Sequence, residues 1–123
     1  MAKILVIDDD QSIRTFLDRL LSRKGYDVIL ADSGRKGLEL FRRERPHAVV
    51  LDLLIPEVNG IAVLQQIRSV DEKIPVIVLT GTRISEMKQQ AYAVGVTEFV
   101  EKEFSIHVLL EALKRHLKAS AAI

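Results

Sequence analysis

The sequence contains no cysteine. Disulfide frameworks, thiolate catalysis and cysteine-built zinc sites are therefore excluded. Its three histidines, His47, His107 and His116, lack metal-ligand spacing with any other candidate and read as surface residues. No apolar run approaches the ~18 residues that a membrane span needs. The start, MAKILVID, carries one lysine and then an acidic cluster, which is not the pattern of a secretory leader. Together with the missing cysteines this predicts a cytoplasmic protein. Charge of one sign is not in excess: the net charge is +1, which steers the chain toward neither nucleic acid nor membrane. Internal repeats and low-complexity stretches are absent, and no GxGxxG follows the first apolar run, so a dinucleotide-binding unit is excluded. What is present is ordinary for a soluble globular protein: 123 residues, 48% hydrophobic and 28% charged. That length suits one domain, 1–123, with one core.

Apolar runs and helical patterns alternate along the chain. KILVI (3–7), DVILA (27–31), AVVLD (48–52), VIVLT (76–80) and EFVEK (98–102) read as strands. Between them, Ile13, Phe16, Leu17, Leu20 and Leu21 share one helical face, with Gly25 to stop it. Ser33-Gly34 opens a second helix that Pro46 closes, and Asn59-Gly60 opens a third carrying Ile61, Val63, Leu64 and Ile67. A fourth runs over about 85–94 with Gly95 as a left-handed cap. Ser105 caps a fifth, with Ile106, Leu109, Leu110, Leu113 and Leu117 on one side. Five such βα units predict an α/β fold, a doubly wound parallel five-stranded sheet with helices on both faces. Strands 1, 3 and 4 are apolar throughout, as strands buried on both faces must be. Strand 2 begins with Asp27 and strand 5 carries Glu98 and Glu101, which suits edges. With right-handed crossovers the strand order is 2-1-3-4-5, that of flavodoxin-like folds.

In such a sheet ligands bind beyond the carboxyl ends of the strands, where the strand order reverses. Strand 1 ends in Asp8, Asp9 and Asp10, strand 3 in Asp52, strand 4 in Thr80 and strand 5 in Lys102. Taken singly these are bland: Asp10 reads as a helix N-cap, Thr80 as a strand-end residue and Lys102 as a solvated lysine. Asp52, closing a buried strand ahead of Leu53, Leu54, Ile55 and Pro56, is harder to dismiss. Carboxylates gathered at one rim call for a cation, or else at least one pKa must rise, and oxygen-only ligands suit a hard cation, Mg²⁺ before Zn²⁺. A lysine and a hydroxyl beside them suit a phosphoryl group better than another carboxylate. The conjunction reads as metal-assisted phosphoryl transfer to a carboxylate.

The motifs ILVIDDDQ, VVLDLLIPEVNG, VIVLTG and FVEKEF, in this order and spacing, resemble the receiver domains of two-component response regulators, the fold of the chemotaxis receiver. The resemblance covers nearly the whole chain. It implies that Asp52 is the phosphoacceptor, and that Asp8, Asp9, Asp52 and the Leu54 carbonyl hold Mg²⁺, Asp8 through water. Thr80 then contacts the phosphoryl group, Lys102 pairs with it, and Phe99 is the aromatic partner of Thr80 in a switch. The implied donor is a phosphohistidine on a sensor histidine kinase or phosphotransfer protein, docking at Ile13, Phe16 and Phe104. The implied output is a downstream protein target or a fused output domain, the chain stopping at LKASAAI.

Departures from the family pattern carry expectations of their own. Glu103 stands where a proline is usual, so the Lys102–Glu103 peptide is expected to be trans, since cis without proline costs roughly 2.5–4 kcal/mol. Phe99 lacks a tyrosine hydroxyl, Asn59 replaces a common aspartate and Ile55 a common methionine. Leu54 and Thr82 flank the line of water attack with little polarity, which predicts slow dephosphorylation.

Two rivals fit less well. A haloacid-dehalogenase-like phosphatase would use Asp8-x-Asp10, with Thr80 and Lys102 in support. It needs an acidic pair beyond Lys102, where Glu103 and Glu111 are ill placed, and it leaves Asp52 unexplained. A flavodoxin would need a hydroxyl- and amide-rich phosphate loop where three aspartates stand. Elsewhere, Arg35, Lys36, Arg42, Arg43 and Arg45 read as a solvated basic face rather than a nucleic-acid contact. On the fifth helix, Val108, Ala112 and Ala119 lie near one outward stripe with Arg115, either inert surface or a homodimer face.

Overall fold

The computed structural model describes residues 2–53, 55, 59–80, 85–101 and 106–121. Five strands, β1 (Lys3–Ile7), β2 (Asp27–Ala31), β3 (Ala48–Asp52), β4 (Val76–Thr80) and β5 (Glu98–Glu101), alternate with five helices. These are α1 (Gln11–Arg23), α2 (Gly34–Glu44), α3 (Gly60–Val70), α4 (Ser85–Val94) and α5 (Ile106–Ala121). All strand pairs are parallel and the order is β2-β1-β3-β4-β5, as the hydropathy pattern predicts.

Alternation along the strands sorts the side chains onto two faces. Leu5, Ile7, Val49, Leu51, Val76 and Val78 point to one side and are sealed by α2, α3 and α4 through Leu40, Phe41, Leu64, Ile67 and Ala91. Ile4, Val6, Val50, Ile77 and Leu79 point to the other and are sealed by α1 and α5 through Leu17, Leu21, Leu109 and Leu113. Apart from half-buried Lys3, the three central strands are buried along their described side chains. Each such leucine or isoleucine contributes about 1.5–3 kcal/mol of burial. β2, with Asp27 exposed, forms one edge, and β5, with Glu101 exposed, forms the other.

Local chemistry sets where each helix starts and stops. Asp10 caps α1, its Oδ1 accepting from the backbone N–H of Ser12 at 2.9 Å and Ile13 at 3.3 Å. Ser33 and Asn59 do the same for α2 and α3, accepting from Lys36 at 3.2 Å and Ile61 at 2.8 Å. Each cap satisfies an N–H that has no partner within the helix. Gly25 (φ 92°) and Gly95 (φ 119°) turn the chain out of α1 and α4 in the left-handed region. Arg45 does this for α2 without being glycine, at φ 46°. Pro46 follows it and disfavours the right-handed helical conformation at Arg45.

Three side chains depart from the sequence pattern. Phe16, grouped with the apolar face of α1, is 53% exposed. Ala112, grouped with the outward stripe of α5, is fully buried in the core, so the proposed dimer stripe loses its middle member. Its small side chain lies where α5 rests on the sheet, which periodicity cannot distinguish from an inert surface alanine. His116, read as a plain surface residue, is half-buried with Nε2 3.0 Å from Glu98.

Candidate functional site

Sheet register builds the site. Ile7 pairs with Leu51 across β1 and β3, so the next residue of each strand, Asp8 and Asp52, comes out side by side at the carboxyl rim. Both are buried, at 1% and 4% exposure, while Asp9 on the turn is exposed. One carboxylate oxygen from each of Asp8, Asp9 and Asp52 lies within 4.8 Å of the others. Asp10 takes no part in this group. Its Oδ1 is given to the α1 cap and to the Ser12 hydroxyl at 2.6 Å. The run of three aspartates thus divides by geometry into two for the rim and one for the helix.

The turn holding them is stiffened from both sides. Asp8 Oδ1 accepts from the Asp10 N–H at 3.0 Å, and the Asp8 N–H donates to the Ala31 carbonyl at 3.1 Å. Arg14 Nη1 donates to the Asp8 carbonyl at 2.8 Å. The sequence reading missed Arg14. Its signal was position: four residues past the Asp10 cap, one helical turn, which returns the side chain to the start of α1. On the β3 side, Gly60 donates to the Leu53 carbonyl at 3.2 Å. A Cβ at Gly60 would lie 2.4 Å from Leu53 Cα, so only glycine lets the chain return this closely to the end of β3.

The donor set fits a hard divalent cation. Among the described residues it offers carboxylate oxygens, and bringing three like charges together at a partly buried rim is favourable when a cation sits among them. Neither soft ligands nor imidazole contribute, which disfavours zinc.

The remaining expected site residues are placed as follows. Thr80 ends β4, adjacent in the sheet to β3, and pairs in register with Glu101 of β5. Its side chain, and Leu54, Lys102 and Phe104 altogether, lie outside the described residues, as do Thr82 and the Lys102–Glu103 peptide. Phe99 is half-buried on β5, with the Tyr92 ring edge-on at 4.8 Å and 68° and Lys88 Nζ 5.3 Å from its centroid. Ile13 is half-buried against the α1–α5 side of the core, whereas Phe16 stands out on α1 beside Ser12, Thr15 and Arg19. Arg35, Lys36, Arg42, Arg43 and Arg45 are all exposed. Among the described residues no helix is long and apolar enough to cross a membrane.

Comparison with known proteins agrees with this geometry. Residues 4–114 match the response regulator receiver domain family. The response regulator MprA of Mycolicibacterium vanbaalenii is 37% identical over 116 residues, covering 94% of this chain and 50% of that protein. Sporulation initiation phosphotransferase F of Bacillus subtilis is 34% identical over 115 residues, covering 94% of this chain and 93% of its own length. The chain thus spans about half the length of the MprA relatives it matches and nearly all of the sporulation protein. Among solved structures, a response regulator receiver domain protein from Clostridium thermocellum superposes with a TM-score of 0.93 at 28% identity, covering 99% of this chain and 98% of the other. Chemotaxis protein CheY4 of Vibrio cholerae superposes at 0.87 with 32% identity, covering 94% and 98%. The parallel sheet, the paired aspartates at its reversal point and these matches together make the chain a member of the response regulator receiver domain family.

Proposed function

We propose that this chain is a cytoplasmic phosphorylatable switch that takes a phosphoryl group onto Asp52, with residues 1–123 acting as one receiver unit. The observation that carries the reading is the buried Asp8–Asp52 pair, joined within 4.8 Å by Asp9, at the strand ends where the sheet order reverses. A Asp52 carboxylate oxygen attacks phosphorus, the bond from phosphorus to the donor imidazole nitrogen breaks, and that nitrogen leaves with the electron pair. Asp9, Asp52 and the Leu54 carbonyl, with Asp8 through water, would hold Mg²⁺, which would neutralise charge on the phosphoryl oxygens. The stiffened turn of Asp8 and Asp9 keeps those carboxylates from reorganising during transfer. Thr80 and Lys102 are assigned to the remaining phosphoryl oxygens from their positions in the motifs VIVLTG and FVEKEF.

The donor is a phosphohistidine on a sensor histidine kinase or phosphotransfer protein, which docks at Ile13, Phe16 and Phe104. Phe16, exposed beside the rim, supports that docking face. Occupancy of Asp52 alters the surface around Thr80 and Phe99, and a downstream protein or fused output domain reads the change, with α5 as a candidate homodimer face. Leu54 and Thr82 leave the attacking water poorly oriented, so the phosphorylated form is long-lived. Leu54→Asn with Thr82→Glu is expected to speed loss of label about tenfold, ~1.4 kcal/mol off the barrier. An unchanged decay rate would remove Leu54 as the gate.

The test is incubation with acetyl phosphate and Mg²⁺, followed by quantification of hydroxylamine-labile phosphate in wild type and Asp52→Asn. Stoichiometric labelling that disappears in the variant supports the reading. Undiminished labelling in the variant overturns it, and label mapped to Asp8 would turn the site into that of a phosphatase.

A further inference from the structure

A guanidinium that joins two connecting segments of the sheet lies at the end away from the carboxylates. Arg68, near the end of α3, donates from Nε to the Gly95 carbonyl at 2.6 Å. Its Nη1 donates to the Ile74 carbonyl at 2.7 Å and the Asp71 carbonyl at 3.1 Å, and its Nη2 to the Thr97 hydroxyl at 3.3 Å. Every acceptor is a neutral oxygen. The group is half-buried, and burial pulls its pKa below the ordinary arginine range, with Asp71 opposing that shift. A partly desolvated cation held by neutral oxygens is costly unless its hydrogen bonds are well formed.

The acceptors are not scattered. Asp71 and Ile74 belong to the segment that leads from α3 into β4, and Gly95 and Thr97 to the segment that leads from α4 into β5. The Thr97 hydroxyl also accepts from the Val76 N–H at 2.9 Å, and the Thr97 N–H donates to the Val76 carbonyl at 3.0 Å. The two strands are therefore launched from one shared fixture. None of the Arg68 acceptors lies on β1 or β3, which carry the carboxylates. Gly95 packs closely on the same arginine: a Cβ there would stand 3.2 Å from its Nε.

We propose that Arg68 is a positioning residue for the phosphoacceptor site, setting the height of β4 and β5, and with them Thr80 and Phe99, relative to the aspartates of β1 and β3. The inference rests on the reading of the site given above. A strand advances ~3.3 Å per residue, so Thr80 lies about 13 Å from the fixture at Val76, and Phe99 lies two residues from Thr97. A hydrogen-bonded strand is stiff along its axis, so a displacement at its launch point is delivered to its far end. Only guanidinium, with a planar fork of donors, reaches all four acceptors at once.

The experiment compares Arg68→Met and Arg68→Lys with wild type in three measurements: backbone amide NMR shifts without any phosphodonor, Mg²⁺ affinity by calorimetric titration, and the rate of labelling by acetyl phosphate. Arg68→Met is expected to move the Thr80 and Phe99 amide resonances and to slow labelling roughly three- to tenfold, the range produced by mutations along a packed network. Mg²⁺ affinity stays near that of wild type, because no Arg68 acceptor lies on β1 or β3. Arg68→Lys, which keeps the charge and loses the fork, falls between. A merely structural role would lower Mg²⁺ affinity in step with labelling, and that result overturns the proposal. So does wild-type labelling in both variants. If wild type itself takes no label, the reading of the site fails. The amide shifts then judge Arg68 alone, and resonances of Thr80 and Phe99 that stay in place overturn it.

Discussion

The two ends of the sheet handle charge in opposite ways. At the amino end, Lys3, Arg68 and Glu98 are each matched locally. Lys3 Nζ meets Glu44 at 3.2 Å, Arg68 meets its four oxygens, and Glu98 meets Arg115 at 2.6 Å and His116 at 3.0 Å. At the carboxyl end like charges are gathered instead, with Asp8, Asp9 and Asp52 converging from two strands. One end pairs opposite charges; the other gathers like ones, as a cation site would. Mostly exposed matched pairs contribute little to stability, whereas gathered like charges cost stability until a cation or phosphoryl chemistry uses them. That asymmetry, more than the fold, identifies the working end.

The comparison breaks first at Gly60. Gly60→Ala forces a methyl group onto Leu53 backbone, so stability is expected to fall by roughly 2–3 kcal/mol, and the Asp52 side of the rim to shift with it. Urea unfolding read by circular dichroism measures the loss, and a cost below about 0.5 kcal/mol would show that the close approach is not required.

Asp52→Asn is the next effect, and its sign is unusual. Removing one of the gathered charges in metal-free buffer is expected to raise stability by roughly 1–2 kcal/mol. Mg²⁺ should then stabilise wild type more than the variant, because it binds the folded wild-type rim better. A lower melting temperature for the metal-free variant would mean that the carboxylates are not in mutual repulsion.

Neighbouring aspartates sharpen the contrast further. Asp10→Ala should cost about 1 kcal/mol through loss of the α1 cap while sparing Mg²⁺ affinity. Asp9→Ala should do the reverse, losing Mg²⁺ with little change in folding. Titration calorimetry and thermal unfolding on both proteins would separate them, and equal loss of metal in both would refute the division of the acidic run.

The smallest effect lies at the matched end. Burial raises the Glu98 carboxyl pKa, but hydrogen bonds from Arg115 and His116 outweigh it and hold the group below its ordinary value. A depressed folded pKa contributes stability that is present above the unfolded value and is lost as pH falls through the folded one. Glu98→Gln should therefore flatten the acid limb of the stability curve below about pH 4.5 and change neutral stability by less than ~1 kcal/mol. An acid limb identical to wild type would show that this cluster adds nothing.

Much of this was legible in the sequence because it follows from periodicity and punctuation. The apolar runs placed β1 to β4, and Asp10, Ser33, Asn59, Gly25 and Gly95 marked turns and caps through local chemistry alone. Convergence of Asp8 and Asp52 was legible too, since strand order and strand ends suffice to bring them together. What escaped depends on tertiary contact. Ala112 has the look of surface and is buried, whereas the exposure expected of Phe16 as a docking residue is found. Arg68 reads as one more helix arginine, because its acceptors are carbonyls of distant loops that carry no signature in residue type. Glu98 on β5 lies 17 and 18 residues from Arg115 and His116 on α5 and meets them only once α5 has docked.

The β1–β3 register has a consequence for the order of events in time. Asp8 and Asp52 are neighbours only after β3 has been laid against β1, across the intervening α1, β2 and α2. In a growing chain the acidic turn is made early and stays solvated and harmless until that late partner arrives. The mutual repulsion is thus created by the docking of β3 itself. If that docking follows the rate-limiting step, Mg²⁺ lengthens the lifetime of the folded state without hastening its formation. Stopped-flow refolding and unfolding, with and without Mg²⁺, place the docking of β3 before or after the barrier.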